Sequence, residues 1–375
     1  MNKVSYSTRS ALLLALLGAG IALVACGGGG GLNLPPDASD GTSTTGGGGE
    51  APMTTSGGTT GTTGSSMGTG GAMPATLSWV AELDATKGQL PEGIALNAAE
   101  DTAYLGFAAT GQIVKVHLAD GKMSDFGSVP APPMNGGFVL GLAFDKDGAL
   151  YVGAASFGPA YQAGIYKIPA AGGAGTLFAK DATMTVPNGL VFDKDGALFV
   201  TDSAAGSIFK INTAGAVTKW LTDPLLTGDV ASKCSSGLSF PLGANGIALS
   251  NGAFYVANTD KASVAKIPVM ADGTAGAASA FAASDCAALG GADGLAVDTD
   301  GTLLIAANGI NSIVRVGTDG KTSVVVAKDK LDSPASLAIG TKPEKNLFIT
   351  NAAFTSAQTP GGKPKPGLLK FPLGG

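Results

Sequence analysis

Six near-copies of one short pattern place a variable side chain at the same point, and in four of them that side chain carries oxygen. They are Glu92 in Pro91-Glu92-Gly93-Ile94, Asn188 in Pro187-Asn188-Gly189-Leu190, Asn245 in Ala244-Asn245-Gly246-Ile247 and Asp293 in Ala292-Asp293-Gly294-Leu295. The same slot holds Leu140 in Val139-Leu140-Gly141-Leu142 and Ala335 in Pro334-Ala335-Ser336-Leu337. A rule for making turns would not switch between apolar and oxygen-bearing types, so the polar members point to a shared site. Two carboxylates and two amides form a hard, oxygen-only set, suited to Ca²⁺ or another hard divalent cation and less so to zinc, which prefers His and Cys. Glu92 and Asp293 supply two negative charges to balance such an ion. Ca²⁺ takes about six to eight oxygens, so positions remain for water or substrate. An ion held in that way polarises a carbonyl and lowers the pKa of water.

The elements that must carry this slot are short strands. The slot recurs every 42 to 57 residues, the period of propeller blades. The third copy parses into strands over 189–192, 197–201, 207–211 and 216–221, separated by turn residues. A cation marks the third strand of every copy: Lys115, Lys167, Lys210, Lys266, Arg315 and Lys370. These read as a solvated strand near the outer rim, where charge also blunts edge pairing. The chain ends without a fourth strand for the last copy, and the alternating segment 76–83 ahead of the first copy can supply it. The expected fold is all-β, a six-bladed β-propeller over residues 75–375 closed by an N-terminal strand. In that fold the four slot residues converge at one mouth of the central channel, on the face that carries the connections between blades.

Other polar residues fit structural roles. Asp202, Asn258, Asn308 and Asn351 end second strands and could face the mouth and touch substrate, but Asx residues at strand-to-turn junctions usually cap their own backbone, and recurrence in four copies favours that role. The Asp-rich turns beginning at Asp145, Asp193 and Asp298 read as hairpin turns, since they lack the downstream Glu of a calcium loop. His117, the single histidine, falls on the rim. Asp229, in a long connection toward the mouth, is a spare candidate for a base.

Residues 1–25 read as a lipoprotein signal peptide. Lys3 and Arg9 precede an apolar run that is short for a membrane span, and Leu23-Val24-Ala25-Cys26 resembles the bacterial lipobox, which implies a lipid on Cys26. Residues 26–74, rich in Gly, Ser and Thr, read as a flexible tether with a reach of roughly 35–40 Å. The expected location is extracytoplasmic, held to a bacterial membrane through the lipid alone. Cys234 and Cys286 lie in segments between copies, in a compartment that favours oxidation, and are expected to pair. A net charge of −5 with dispersed lysines argues against nucleic acid. A monomer is expected.

The repeats, with Pro-Glu-Gly at Glu92, Pro-Asn-Gly at Asn188 and Asp-Gly at Asp293, resemble the SMP-30/gluconolactonase/LRE-like family. The resemblance implies a six-bladed propeller that hydrolyses lactones with a divalent ion at the channel mouth. It implies that Glu92, Asn188 and Asp293 are metal ligands, that Asn245 is a further ligand as in related lactonase branches, and that Asp293 is the general base. Leu140 departs from the pattern, standing where sugar-lactone hydrolases carry a polar substrate contact. That tilts the expected substrate toward a less polar lactone or ester, attacked by water at its carbonyl. A non-catalytic NHL-like propeller that binds a protein or glycan remains the alternative, as does, more distantly, a lyase or synthase on the same scaffold.

Overall fold

The computed structural model describes residues 75–374. The segments expected to be a signal peptide and a tether, with Cys26 between them, lie outside the described residues. Within them, no helix is long and apolar enough to cross a membrane.

Six antiparallel sheets follow one another along the chain, each a four-stranded meander in its basic form. Their innermost strands are Pro91–Leu96, Gly137–Phe144, Pro187–Phe192, Ala244–Ser250, Ala292–Val297 and Pro334–Gly340. In the third blade the strands Pro187–Phe192, Leu198–Asp202, Ser207–Ile211 and Val217–Thr222 coincide closely with those read from the pattern. The first blade gains a fifth strand, Gly173–Ala174, which leaves the second blade and runs parallel to the outer strand Met123–Ser128. The sixth blade is completed from the other end of the chain. Ser78–Glu82 pairs antiparallel with Gly367–Pro372, covering an edge that would otherwise offer unpaired N–H and C=O groups.

The second strands are buried at successive positions, as in Leu198–Asp202, Ala253–Asn258 and Leu303–Ala307, so each sheet buries both faces and packs against both neighbours. Between the third and fourth blades, Phe199 stacks on Phe254 with ring centroids 4.5 Å apart, and Trp220 closes against both. Tyr151 packs edge-on to Phe178 and Phe192 between the second and third. Three of the third-strand cations lie over the aromatic residue opposite them: Lys167 over Tyr151, Lys210 over Phe199 and Lys266 over Tyr255. Their stems cover apolar surface and their charges stay at the rim.

In all six blades the pairing between the first and second strands slips by one residue, at the same place. The shift falls between Pro91 and Ile94, Val139 and Leu142, Pro187 and Leu190, Ala244 and Ile247, Ala292 and Leu295, and Pro334 and Leu337. Each bulge therefore contains the slot residue and the residue after it. Bulges re-aim side chains, and here they turn six equivalent positions away from the ladder.

Candidate functional site

The glycine that follows five of the six slots shows how closely these positions meet; Ser336 follows the sixth. A Cβ added to Gly93 would lie 2.3 Å from the carbonyl oxygen of Leu140, and one on Gly141 would lie 2.2 Å from that of Asn188. The series continues from Gly189 to Asn245 at 2.6 Å, Gly246 to Asp293 at 2.5 Å and Gly294 to Ala335 at 2.6 Å. The Thr350 hydroxyl, from the sixth blade, donates to the carbonyl oxygen of Glu92 at 2.8 Å and closes the circle. Slot residues far apart in sequence are thus successive members of one ring, and glycine is required because any side chain would displace the next blade.

All four polar slot residues are buried: Glu92 is 4% exposed, Asn188 7%, Asn245 6% and Asp293 9%. Their partners come from one further position, at the end of each second strand. Asn188 Nδ2 donates to the Ser203 hydroxyl at 3.1 Å, and that hydroxyl donates to the carbonyl of Ala244 at 2.8 Å. Asn245 Nδ2 donates to Thr259 at 3.0 Å, and Thr259 donates to the carbonyl of Ala292 at 2.8 Å. Each hydroxyl hydrogen is committed to a carbonyl, so the hydroxyl can only accept from the amide. Each amide nitrogen is thereby held by its hydroxyl, that of Asn245 also facing the Asp293 carboxylate, and neither Asn carbonyl oxygen accepts a hydrogen bond among the described residues. Asn308 Nδ2 donates to Asp293 Oδ2 at 3.2 Å.

Where the slot is apolar, the partner position is Ala155 beside Leu140 and Ala352 beside Ala335, the residues that follow Ala154 and Asn351 in the second-strand registers. Glu92 breaks this correspondence. By the same register its partner position is Ala108, which has nothing to donate, and Glu92 Oε2 is buried with no hydrogen-bond partner. Burial first, and then the nearby charge of Asp293, push the Glu92 carboxyl well above the usual carboxylate range. Burial pushes Asp293 up to about 7, against the opposing hydrogen bonds from Asn308 and Asn245. Among the described residues neither carboxylate is ion-paired with a Lys or Arg.

Two buried carboxylates side by side, one with an orphaned oxygen, together with two amide oxygens held free, fit a hard divalent cation. Among the described residues no three of His, Cys, Asp and Glu come together as ligands. A cation here would rest on the mixed carboxylate and amide set.

The other expectations sort cleanly. Asp202 accepts from the backbone N–H groups of Val186, Ala204 and Ala205, and Asn258 and Asn351 likewise bind their neighbouring loops. Of the four, Asn308 takes the other role and faces Asp293. Ala307, not Asn308, pairs with Ala292, so Asn308 stands one residue further on, in the register of Ser203 and Thr259. That offset is the signal by which sequence could have found it. Asp229 is exposed and its carboxylate caps the N–H of Ala231. His117 sits at the rim with Asp120 at 2.8 Å. Asp145 and Asp193 each accept from two backbone N–H groups of their own hairpin turns, while Asp298 is ion-paired with Lys345 of the next blade. Cys234 and Cys286 are disulfide-bonded, Cα to Cα 5.1 Å, joining the connections on either side of the fourth blade.

Residues 225–353 match the model of the family described as SMP-30/Gluconolactonase/LRE-like region. This stretch resembles that family. That region includes Asn245, Asp293 and Asn308, while Glu92 and Asn188 lie in blades before it. Among solved structures, the fold is similar to a luciferin-regenerating enzyme (14% identity, TM-score 0.58, covering 80% of this chain and 95% of that one). It is similar to a gluconolactonase from Xanthomonas campestris (18%, 0.56, 80% and 89%) and to regucalcin, a calcium-binding protein from Agrobacterium tumefaciens (22%, 0.54, 76% and 90%). These identities speak to the fold. No curated protein matches the chain significantly.

Proposed function

We propose that the protein is a metal-dependent hydrolase of lactones or esters, anchored by a lipid on Cys26 outside the cytoplasm and carried on a tether of residues 26–74. The observation that carries this reading is the buried, unpartnered Oε2 of Glu92 beside Asp293. A scaffold with no ligand to bind would gain nothing from burying a carboxyl oxygen without a hydrogen-bond partner, an arrangement that is unfavourable whether the group is charged or protonated. The same observation favours this reading over a non-catalytic binding propeller.

Glu92, Asn188, Asn245 and Asp293 would hold the cation, with Ca²⁺ the ion that best matches four hard oxygen donors. A bound ion of this kind supplies Lewis-acid polarisation of a carbonyl. The chain's own groups do the rest. Asn308 holds Asp293 through Oδ2 and so fixes the carboxylate plane. Asp293 takes the proton from the attacking water and returns it to the leaving oxygen. Asn188 and Asn245, held by Ser203 and Thr259, present their carbonyl oxygens in a fixed direction. The ring lies under the connections between blades, which limit the access of bulk water.

The test is hydrolysis of a panel of lactones and aryl esters by chelator-treated protein with and without added Ca²⁺. The reading predicts turnover that chelator abolishes, Ca²⁺ restores, and Asp293→Ala removes. Turnover unaffected by chelator, or none on any member of the panel, would contradict it.

A further inference from the structure

The second-blade side of the mouth differs in kind from the rest of the ring. Leu140 occupies the slot and is packed with Ala155 and Val186, and Phe138 lies against them. Phe138 meets Phe157 edge-on at 5.3 Å, and Phe157 in turn meets Phe240 at 5.5 Å. Phe157 follows directly on the strand end beside Leu140, while Phe240 comes from the connection between the third and fourth blades and reaches across the third to join it. Phe157 keeps 36% of its surface exposed, so the series opens toward solvent at the mouth.

The segment that carries Phe240 is fastened on both sides. Asp260, fully buried, accepts from the N–H of Ser236 at 3.0 Å and from that of Leu242 at 2.8 Å. The Cys234–Cys286 disulfide ties the same connection to the next one. A loop that only linked two blades would not need a buried carboxylate and a disulfide to hold a phenyl ring in place over the neighbouring blade.

We infer that the mouth is two-sided, with oxygen donors on the sides of Glu92, Asn188, Asn245 and Asp293 and a pre-formed apolar wall of Leu140, Phe138, Phe157 and Phe240 on the other. The substrates it takes are lactones or esters that carry an alkyl or aryl group, rather than polyhydroxylated sugar lactones. This rests on the hydrolase reading above and goes beyond it in naming the substrate class. The ester or lactone group sits over the oxygens and its apolar substituent lies against the phenyl rings. A polyhydroxylated ring placed there would turn hydroxyls toward Leu140 and Phe138, which offer no hydrogen bonds, and those hydroxyls would lose their water without replacement.

The test compares an alkyl-substituted δ-lactone, the unsubstituted δ-lactone and an aldonolactone of the same ring size, using the full chain with Ca²⁺ and the variants Phe240→Ala and Phe240→Leu. The wild type is expected to favour the alkyl lactone in kcat/KM by about tenfold or more over either of the others. Phe240→Ala is expected to raise KM for the alkyl lactone by about tenfold with kcat little changed, Phe240→Leu to recover most of the loss, and the loss on the unsubstituted lactone to be several-fold smaller. Preference for the aldonolactone, or equal losses on all three substrates, would overturn the apolar wall and leave the hydrolase reading standing. Absence of turnover on every substrate would defeat the hydrolase reading. In that case titration with the cyclic ether bearing the same alkyl group decides the wall separately: binding weakened by Phe240→Ala upholds it, and no binding overturns it.

Discussion

Because the hydroxyl hydrogens of Ser203 and Thr259 are spent on backbone carbonyls of the next blade, these residues determine which end of each neighbouring amide faces the centre. Ser203→Ala releases Asn188 to rotate without opening a cavity of any size. It is expected to weaken Ca²⁺ affinity by about tenfold while leaving the unfolding midpoint of the metal-free protein within a few degrees of wild type, as measured by calorimetric titration and thermal melts. The carboxylates make an opposite statement about stability. The Asp293 carboxyl has an ordinary value near 3.8 and is pushed up to about 7 in the folded protein, and Glu92 is raised in the same direction. The folded state therefore binds these protons more tightly than the unfolded chain does. Their contribution is complete below about pH 4 and is lost as pH rises through about 7. In chelator, the protein is expected to melt at a lower temperature at pH 8 than at pH 5 as far as this pair is concerned, and Glu92→Gln should shrink the difference. At this scale sequence revealed the four slot oxygens, since they sit in repeats that can be laid over one another. It did not single out Asn308 from its counterparts Asp202 and Asn258, which look alike in type and differ by one place in register.

The bulge shared by the six innermost strands does at the element scale what no single residue could. It holds the slot side chain and the residue after it out of the ladder at the same height in every blade, and in the first five that residue is a glycine lying against the following blade's carbonyl. Gly189→Ala would bring a Cβ to 2.6 Å from the Asn245 oxygen and 2.8 Å from the Ile247 nitrogen, both backbone atoms that cannot step aside singly. A loss of stability on the order of 1–3 kcal/mol or more is expected in denaturant titration. Gly158→Ala, in open space with an ordinary backbone conformation, should change little. The strands themselves were legible, because period-two alternation and the recurring cation survive in every copy. The bulge was not, since a one-residue slip leaves no mark on the alternation beyond the X-Gly pair it encloses. Nor was the meeting of Phe157 with Phe240, which depends on the course of a long connection through space.

For the whole molecule, ring closure and the central site are coupled. The Thr350 hydroxyl of the last blade reaches the carbonyl of Glu92 in the first, so the circle of slot residues is complete only if the sixth blade docks on the first. That docking depends on Ser78–Glu82 covering Gly367–Pro372. Removing residues 1–84 is expected to expose this edge and give a protein that aggregates or melts well below a form beginning at residue 75, by size-exclusion chromatography and thermal unfolding. Closure by an N-terminal strand could be anticipated from the missing fourth strand of the last copy and the spare one ahead of the first. The central claim is that four oxygen-bearing side chains from four blades hold one hard cation. Calorimetric titration of Ca²⁺ into chelator-stripped protein tests it most directly, with wild type set beside Glu92→Ala and Asp293→Ala. The account predicts saturable binding of one ion by the wild type and its loss in both variants; no binding by the wild type, or binding that survives both substitutions, would contradict it.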